Sequence, residues 1–143
     1  MTLSEEIAQL LEDLDLGTYQ ADGTTGGTIY LLRLPSSPDA CMAVARYGGP
    51  ESDATDDYDE PSVQIRIRGP AGDVRTGEQA AQAVYDGMHA IGSRTLAGGT
   101  WLQDAIGAQS GPIYVGVDGN DRPEWTVNLR CEISRPSVNR SDP

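Results

Sequence analysis

The chain has 143 residues, with 22 acidic side chains against 10 arginines or lysines and a formal net charge of -12 at pH 7. That length suits one domain around one core, and the acidity argues against general nucleic-acid binding, which needs a basic stripe to neutralise phosphates. All ten of those basic side chains are arginine, so Schiff-base and lysine-nucleophile mechanisms are excluded as well.

With no Phe in the chain, Val, Ile, Leu, Met, Trp and Tyr must build the core. Residues 2–16, "TLSEEIAQLLEDLDL", read as a helix. Thr2 or Ser4 caps it, Glu5 and Glu6 sit near the positive end of its dipole, and Gly17 stops it. Leu3, Ile7, Leu10, Leu11 and Leu14 form its apolar stripe. "DGTTGG" at 22–27 reads as a flexible turn. Strands are expected at 28–34 and 41–47, separated by Pro35 and "SSP". Residues 48–61, "GGPESDATDDYDEP", are too polar and punctuated to pack and read as a long acidic loop with no apolar anchor apart from Tyr58.

In "SVQIRIR", residues 62–68, Val63, Ile65 and Ile67 alternate with Gln64, Arg66 and Arg68. This is the two-residue period of a strand with one buried and one polar face. A second helix is expected over 75–92, with Ala80, Ala81, Val84, Met88 and Ile91 near one face. Strands follow around 100–107, 112–117 and 123–134, the last two joined by "DGNDR". In the last strand Trp125, Val127, Leu129, Cys131 and Ile133 alternate with Thr126, Asn128, Arg130 and Glu132. The order helix, strands, helix, strands is that of an α+β fold, a mainly antiparallel sheet with two helices packed on one face. The expected organisation is a single domain over residues 1–135 and a flexible C-terminal tail over 136–143.

Few residues carry recognisable chemistry. "GAQSG" at 107–111 lacks the spacing of a nucleophile elbow, and the sole histidine, His89, reads as structural or surface-borne. "DGTTGGT" matches no phosphate-binding loop. Asp53, Asp56, Asp57, Asp59 and Glu60 offer oxygen ligands, but the alternating pattern of a calcium loop is absent, so they read as a solvated loop. Cys41 and Cys131 fit no zinc spacing or disulfide framework, and Cys131 falls at an inward strand position. No catalytic residue, cofactor or metal is expected. The chain lacks a recognisable secretory signal and any apolar run of membrane-spanning length, so a reduced, cytosolic setting is expected.

What remains is the polar sheet face. Arg66 and Arg68 point the same way from one strand, and Arg130 belongs to the polar face of the last. They read either as ordinary solvated charge or as a partner surface, for which arginine's planar fork suits bidentate contacts to carboxylates. The acidic loop of a neighbouring identical subunit, through Asp56, Asp57 and Asp59, is one complementary partner, and such head-to-tail contacts close into rings.

The order of "LPSSPDACMAVARYGGPESD", "YDEPSVQIRIRG", "EQAAQAVYDGMHAIG" and "GPIYVGVDGNDRPEWTVNLRCEI" resembles the tail terminator proteins of long-tailed bacteriophages, also described as minor capsid proteins. The "DGTTGG" insertion and the long acidic loop depart from that pattern. The resemblance runs from about Leu3 to Arg135 and implies a non-enzymatic α+β assembly protein. Such proteins form a ring, commonly a hexamer, on the completed tail tube. The ring stops tube polymerisation and gives the head connector a surface to join. The implied partners are further copies of the chain, the tail tube protein and a head-completion or connector protein, with no membrane and no sequence-specific nucleic acid. The implied location is the virion neck, after assembly in the host bacterial cytoplasm. A head-completion or connector protein, and a small metal-binding hydrolase using the acidic loop, are the alternatives.

Overall fold

The computed structural model describes residues 1–20 and 26–141. Residues 22–25 of the expected turn and the last two residues of the chain lie outside that set. Helix α1, Leu3–Asp13, begins with a capping box: the Thr2 hydroxyl accepts the Glu5 N–H at 3.2 Å, and the Glu5 carboxylate accepts the Thr2 N–H at 3.0 Å. It stops earlier than Gly17. Asp15 adopts the left-handed conformation, with φ 62°, Asp15 N–H donates to Glu12 O, and Leu16 N–H donates to Leu11 O. That is a Schellman ending, with Asp where Gly is commoner. Helix α2, Val74–Met88, is capped by Asp73, whose carboxylate accepts the Thr76 N–H at 3.0 Å. It ends before Ala90, which has φ 61°, so Ile91 reaches the core from beyond the helix.

The strands are β1 (Ile29–Leu31), β2 (Cys41–Tyr47), β3 (Tyr58–Asp59), β4 (Ser62–Arg68), β5 (Arg94–Thr95), β6 (Trp101–Gly107), β7 (Ile113–Val117) and β8 (Pro123–Ser134). They form one curled sheet of eight strands in the order β1-β2-β4-β8-β6-β5, with β3 and β7 also paired to β8. Among the described residues, every pairing between these strands is antiparallel except that of β1 with β2. The spine is β8: β4 and then β3 line one of its edges, and β7 and then β6 line the other. The two-residue strands β3 and β5 are too short to leave a periodic signal in sequence.

The expected register of β4 holds. Val63, Ile65 and Ile67 are buried together with Trp125, Val127, Leu129, Cys131 and Ile133 of β8. Ile7, Leu10 and Leu11 of α1 and Ala81, Val84 and Met88 of α2 enter the same core. Ala80, expected on that stripe, is exposed, and Gly77 takes the inward place one turn before Ala81. A Cβ at Gly77 would lie 2.3 Å from the Trp125 ring, and one at Gly69 would lie 2.7 Å from the Gly77 Cα. The two glycines therefore set how closely α2 approaches the end of β4.

Candidate functional site

Strand alternation carries Arg66, Arg68 and Gln64 of β4 to the face opposite the core. The register sets Arg68 opposite Glu124, Arg66 opposite Thr126, Gln64 opposite Asn128 and Ser62 opposite Arg130 on β8. The face is tied together laterally. Arg66 Nε donates to Glu124 Oε1 at 2.6 Å. Asn128 Oδ1 accepts from Gln64 Nε2 at 3.0 Å and from the Tyr47 hydroxyl at 3.3 Å, while Asn128 Nδ2 donates to Gln109 Oε1 at 3.2 Å. Arg130 lies 3.8 Å from both Glu60 and Glu132. The side chains of Arg66 and Arg130 keep 42% and 47% of their surface exposed.

Arg68 departs from the expectation that it faces outward beside Arg66. Its residue is buried, with Nε donating to Asp39 O at 2.8 Å and Nη2 to Pro35 O at 2.6 Å and Pro38 O at 2.8 Å. The segment between β1 and β2 folds over this end of the polar face and takes the guanidinium for its own carbonyls. Arg122 secures the same segment: Nη1 donates to Ser36 O at 2.6 Å and Nε to Asp118 Oδ2 at 2.9 Å. Burial pushes the Asp118 carboxyl up, but the N–H groups of Arg122 and Asn120 and the Arg122 guanidinium outweigh it and hold it below the usual carboxylate range.

The acidic loop has polar anchors as well as its apolar Tyr58. Arg140, distant in sequence, grips Asp59 through both guanidinium nitrogens, at 2.9 Å and 2.5 Å. That contact holds the Asp59 carboxyl below its ordinary value. Asp53 accepts the N–H groups of Thr55 and Asp56. Asp57 is buried, Asp56 is half-buried, and residues 135–141 run beside the loop through bonds from Arg135 N–H to Asp57 O and from Ser141 N–H to Thr55 O. Of the six side chains expected at a partner surface, Arg66 and Arg130 face outward. Arg68, Asp57 and Asp59 are engaged or buried within the subunit.

Other side chains have roles that their sequence position did not reveal. The Tyr58 hydroxyl lies 2.8 Å from both Glu60 Oε1 and Glu132 Oε1. Burial first, and then the hydrogen bond to Glu132, raise the Asp104 carboxyl, whereas the Tyr58 donor and then Asp104 lower that of Glu132. The two carboxyls are thus pushed in opposite directions, Asp104 up and Glu132 down. Glu6, read as a dipole residue, is buried and accepts from Gly98 N–H at 2.9 Å, Thr100 N–H at 3.2 Å and the Thr100 hydroxyl at 2.5 Å. No local pattern announces such a role, since its donors lie more than ninety residues away.

His89 Nδ1 accepts the Gly107 N–H at 2.9 Å, and its ring stacks on Tyr85, which ties the end of α2 to β6. Burial pushes the Cys131 thiol up to about 12, so at neutral pH it is no thiolate nucleophile. Among the described residues, no three His, Cys, Asp or Glu side chains are grouped to hold a metal ion, and no helix is long and apolar enough to cross a membrane.

The molecule is thus a small α+β domain whose polar sheet face is tied together by hydrogen bonds. The family model described as "Bacteriophage tail terminator protein" matches residues 10–135, and the chain belongs to that family. Its role is accordingly structural, in phage tail assembly. No curated protein matches the sequence.

Proposed function

We propose that this chain assembles into a ring, a hexamer in its finished form, that caps the completed tail tube at the virion neck. The ring buries the growing end of the tube and presents a different surface to the head connector, so the next tube ring finds no matching face. The observation that carries this reading is the family match over residues 10–135. The preformed polar face supports it, because donors and acceptors already held in place lose little freedom on binding.

In this reading both helices cover one face of the sheet, and Arg66 and Arg130 contact a neighbouring protein from the other. Arg68, Asp57 and Asp59 shape the surface from within, and Asp56 lies at its rim. The domain spans residues 1–135, and the segment that follows braces the acidic loop. The protein needs no cofactor and performs no catalysis.

The test is to add purified protein to tail tube protein during polymerisation and to measure tube lengths and end occupancy by electron microscopy. Capped tubes whose growth stops on addition are expected. Unchanged growth with binding to portal or connector complexes instead would overturn the terminator role and favour a connector.

A further inference from the structure

Strand β7 is an apolar edge. It pairs with β8 on one side and with no other strand among the described residues. Ile113, Tyr114, Val115 and Val117 are all exposed, by 40% to 54%. Residues 105–117 contain no charged side chain in a chain of net charge -12. Natural edge strands are commonly blunted by charge, and an uncharged apolar one invites pairing. The shift in register between Tyr114 and Gly116 bends this edge but leaves its side chains in solvent.

A second exposed surface, of mixed polarity, lies past β1, across β2, β4 and β8 from β7. Leu32 is 71% exposed and holds φ 71°, a conformation costly for a side chain of that size. Next to it in sequence, Tyr30, Leu31, Arg33, Leu34, Pro35 and Ser36 line an open groove of about 490 Å³. The two surfaces differ in charge. The turn after β7 displays Asp121, while its one cation, Arg122, is folded inside. The rim of the groove carries the exposed Arg33.

We infer that β7 of one copy docks on the groove beside Leu32 of a second copy, with Asp121 of the first approaching Arg33 of the second. The partner is this chain itself. An uncharged strip is where two strongly acidic copies can touch with least repulsion, and the paired Asp and Arg set the direction. The two surfaces differ, so the contact is heterologous and repeats head to tail, closing when the rotation allows. This deepens the ring reading and rests on it for the closed assembly.

The test uses Val115→Asp and Leu32→Asp, with Tyr114→Ser as a milder change on the same edge. All three sites are exposed, and circular dichroism and thermal melting check the fold. Native mass spectrometry of the unaltered protein should show assemblies larger than a dimer. Each folded Asp variant alone should be monomeric at the same concentration, with apparent association at least tenfold weaker. Mixed together, the two Asp variants should give one-to-one dimers and nothing larger, because each retains one intact surface.

If the unaltered protein forms rings and the folded variants form them equally, this contact is wrong and the ring reading stands. If the variants lose assembly but the intact assemblies ignore tail tubes, the capping reading fails and the contact stands. An unaltered protein that stays monomeric with and without tubes overturns both.

Discussion

At the scale of single residues, two arginines that share a strand face do different things. Arg68 is buried and donates to three carbonyls, whereas Arg66 makes one half-exposed ion pair. Removing a buried charged donor strands its acceptors, at about 1.5–3 kcal/mol per bond to a charged group, without strict additivity. An exposed pair contributes about 0.2–1 kcal/mol. Arg68→Ala is therefore expected to lower the urea midpoint by an amount equivalent to about 2–4 kcal/mol, and Arg66→Ala by less than about 1 kcal/mol. Equal losses in the two melts would mean that the covering segment does not depend on Arg68. Gly77 gives a second residue-scale test. Alanine gains up to about 1 kcal/mol over glycine within a helix, but here its Cβ would meet the Trp125 ring at 2.3 Å. Overpacking of that kind costs about 1–3 kcal/mol. Gly77→Ala should destabilise, with a change in Trp fluorescence as the ring shifts; a more stable protein with an unchanged spectrum would contradict the packing.

At the scale of elements, the acidic loop and the segment after β8 hold each other. The folded Asp59 carboxyl titrates below its unfolded value because Arg140 pairs with it. Its contribution is therefore fully present above about pH 3.9, the ordinary Asp value, and is lost as pH falls through the lower folded value. Asp59→Asn should remove that part of the acid sensitivity and speed hydrogen exchange at Thr55–Asp57 at neutral pH. Unaltered exchange there would show that the clamp does not hold the loop. Asp104 has the opposite sign. Its carboxyl is raised by burial and by Glu132, so it favours the fold below the ordinary Asp value and opposes it increasingly until pH passes the raised one. Asp104→Asn removes the second carboxylate beside Glu132. It should flatten the fall in stability as pH rises above the ordinary Asp value, and an unchanged profile would show that Asp104 is not raised in the fold.

At the scale of the whole molecule, charge governs association. Each copy carries -12, so copies repel at long range, and the screening length falls from about 30 Å at 0.01 M salt to about 8 Å at 0.15 M. Assembly through the uncharged β7 edge should therefore strengthen over that range in analytical ultracentrifugation. Assembly dominated by Arg66 and Arg130 contacts to acidic partners would weaken instead. Sedimentation at the two salt concentrations decides which surface supplies the affinity.

The sequence by itself determined the local order. The apolar alternation of residues 63–67 and 125–133 located β4 and β8 and their buried faces, and "DGNDR" located the turn between β7 and β8, because period and turn chemistry act over a few residues. It also carried the family's succession of motifs. The tertiary structure alone decided which polar side chains remain available. Arg68 and Arg66 have the same parity, but only the chain folding back over residues 35–39 separates them. Glu6 and Asp59 look like ordinary surface acids until Thr100 and Arg140 arrive from distant parts of the chain. The exposure of β7 is likewise set by which strands fill the two edges of β8. Alternation specifies the face of a residue, whereas coverage of that face depends on long-range chain closure, which has no local period to read.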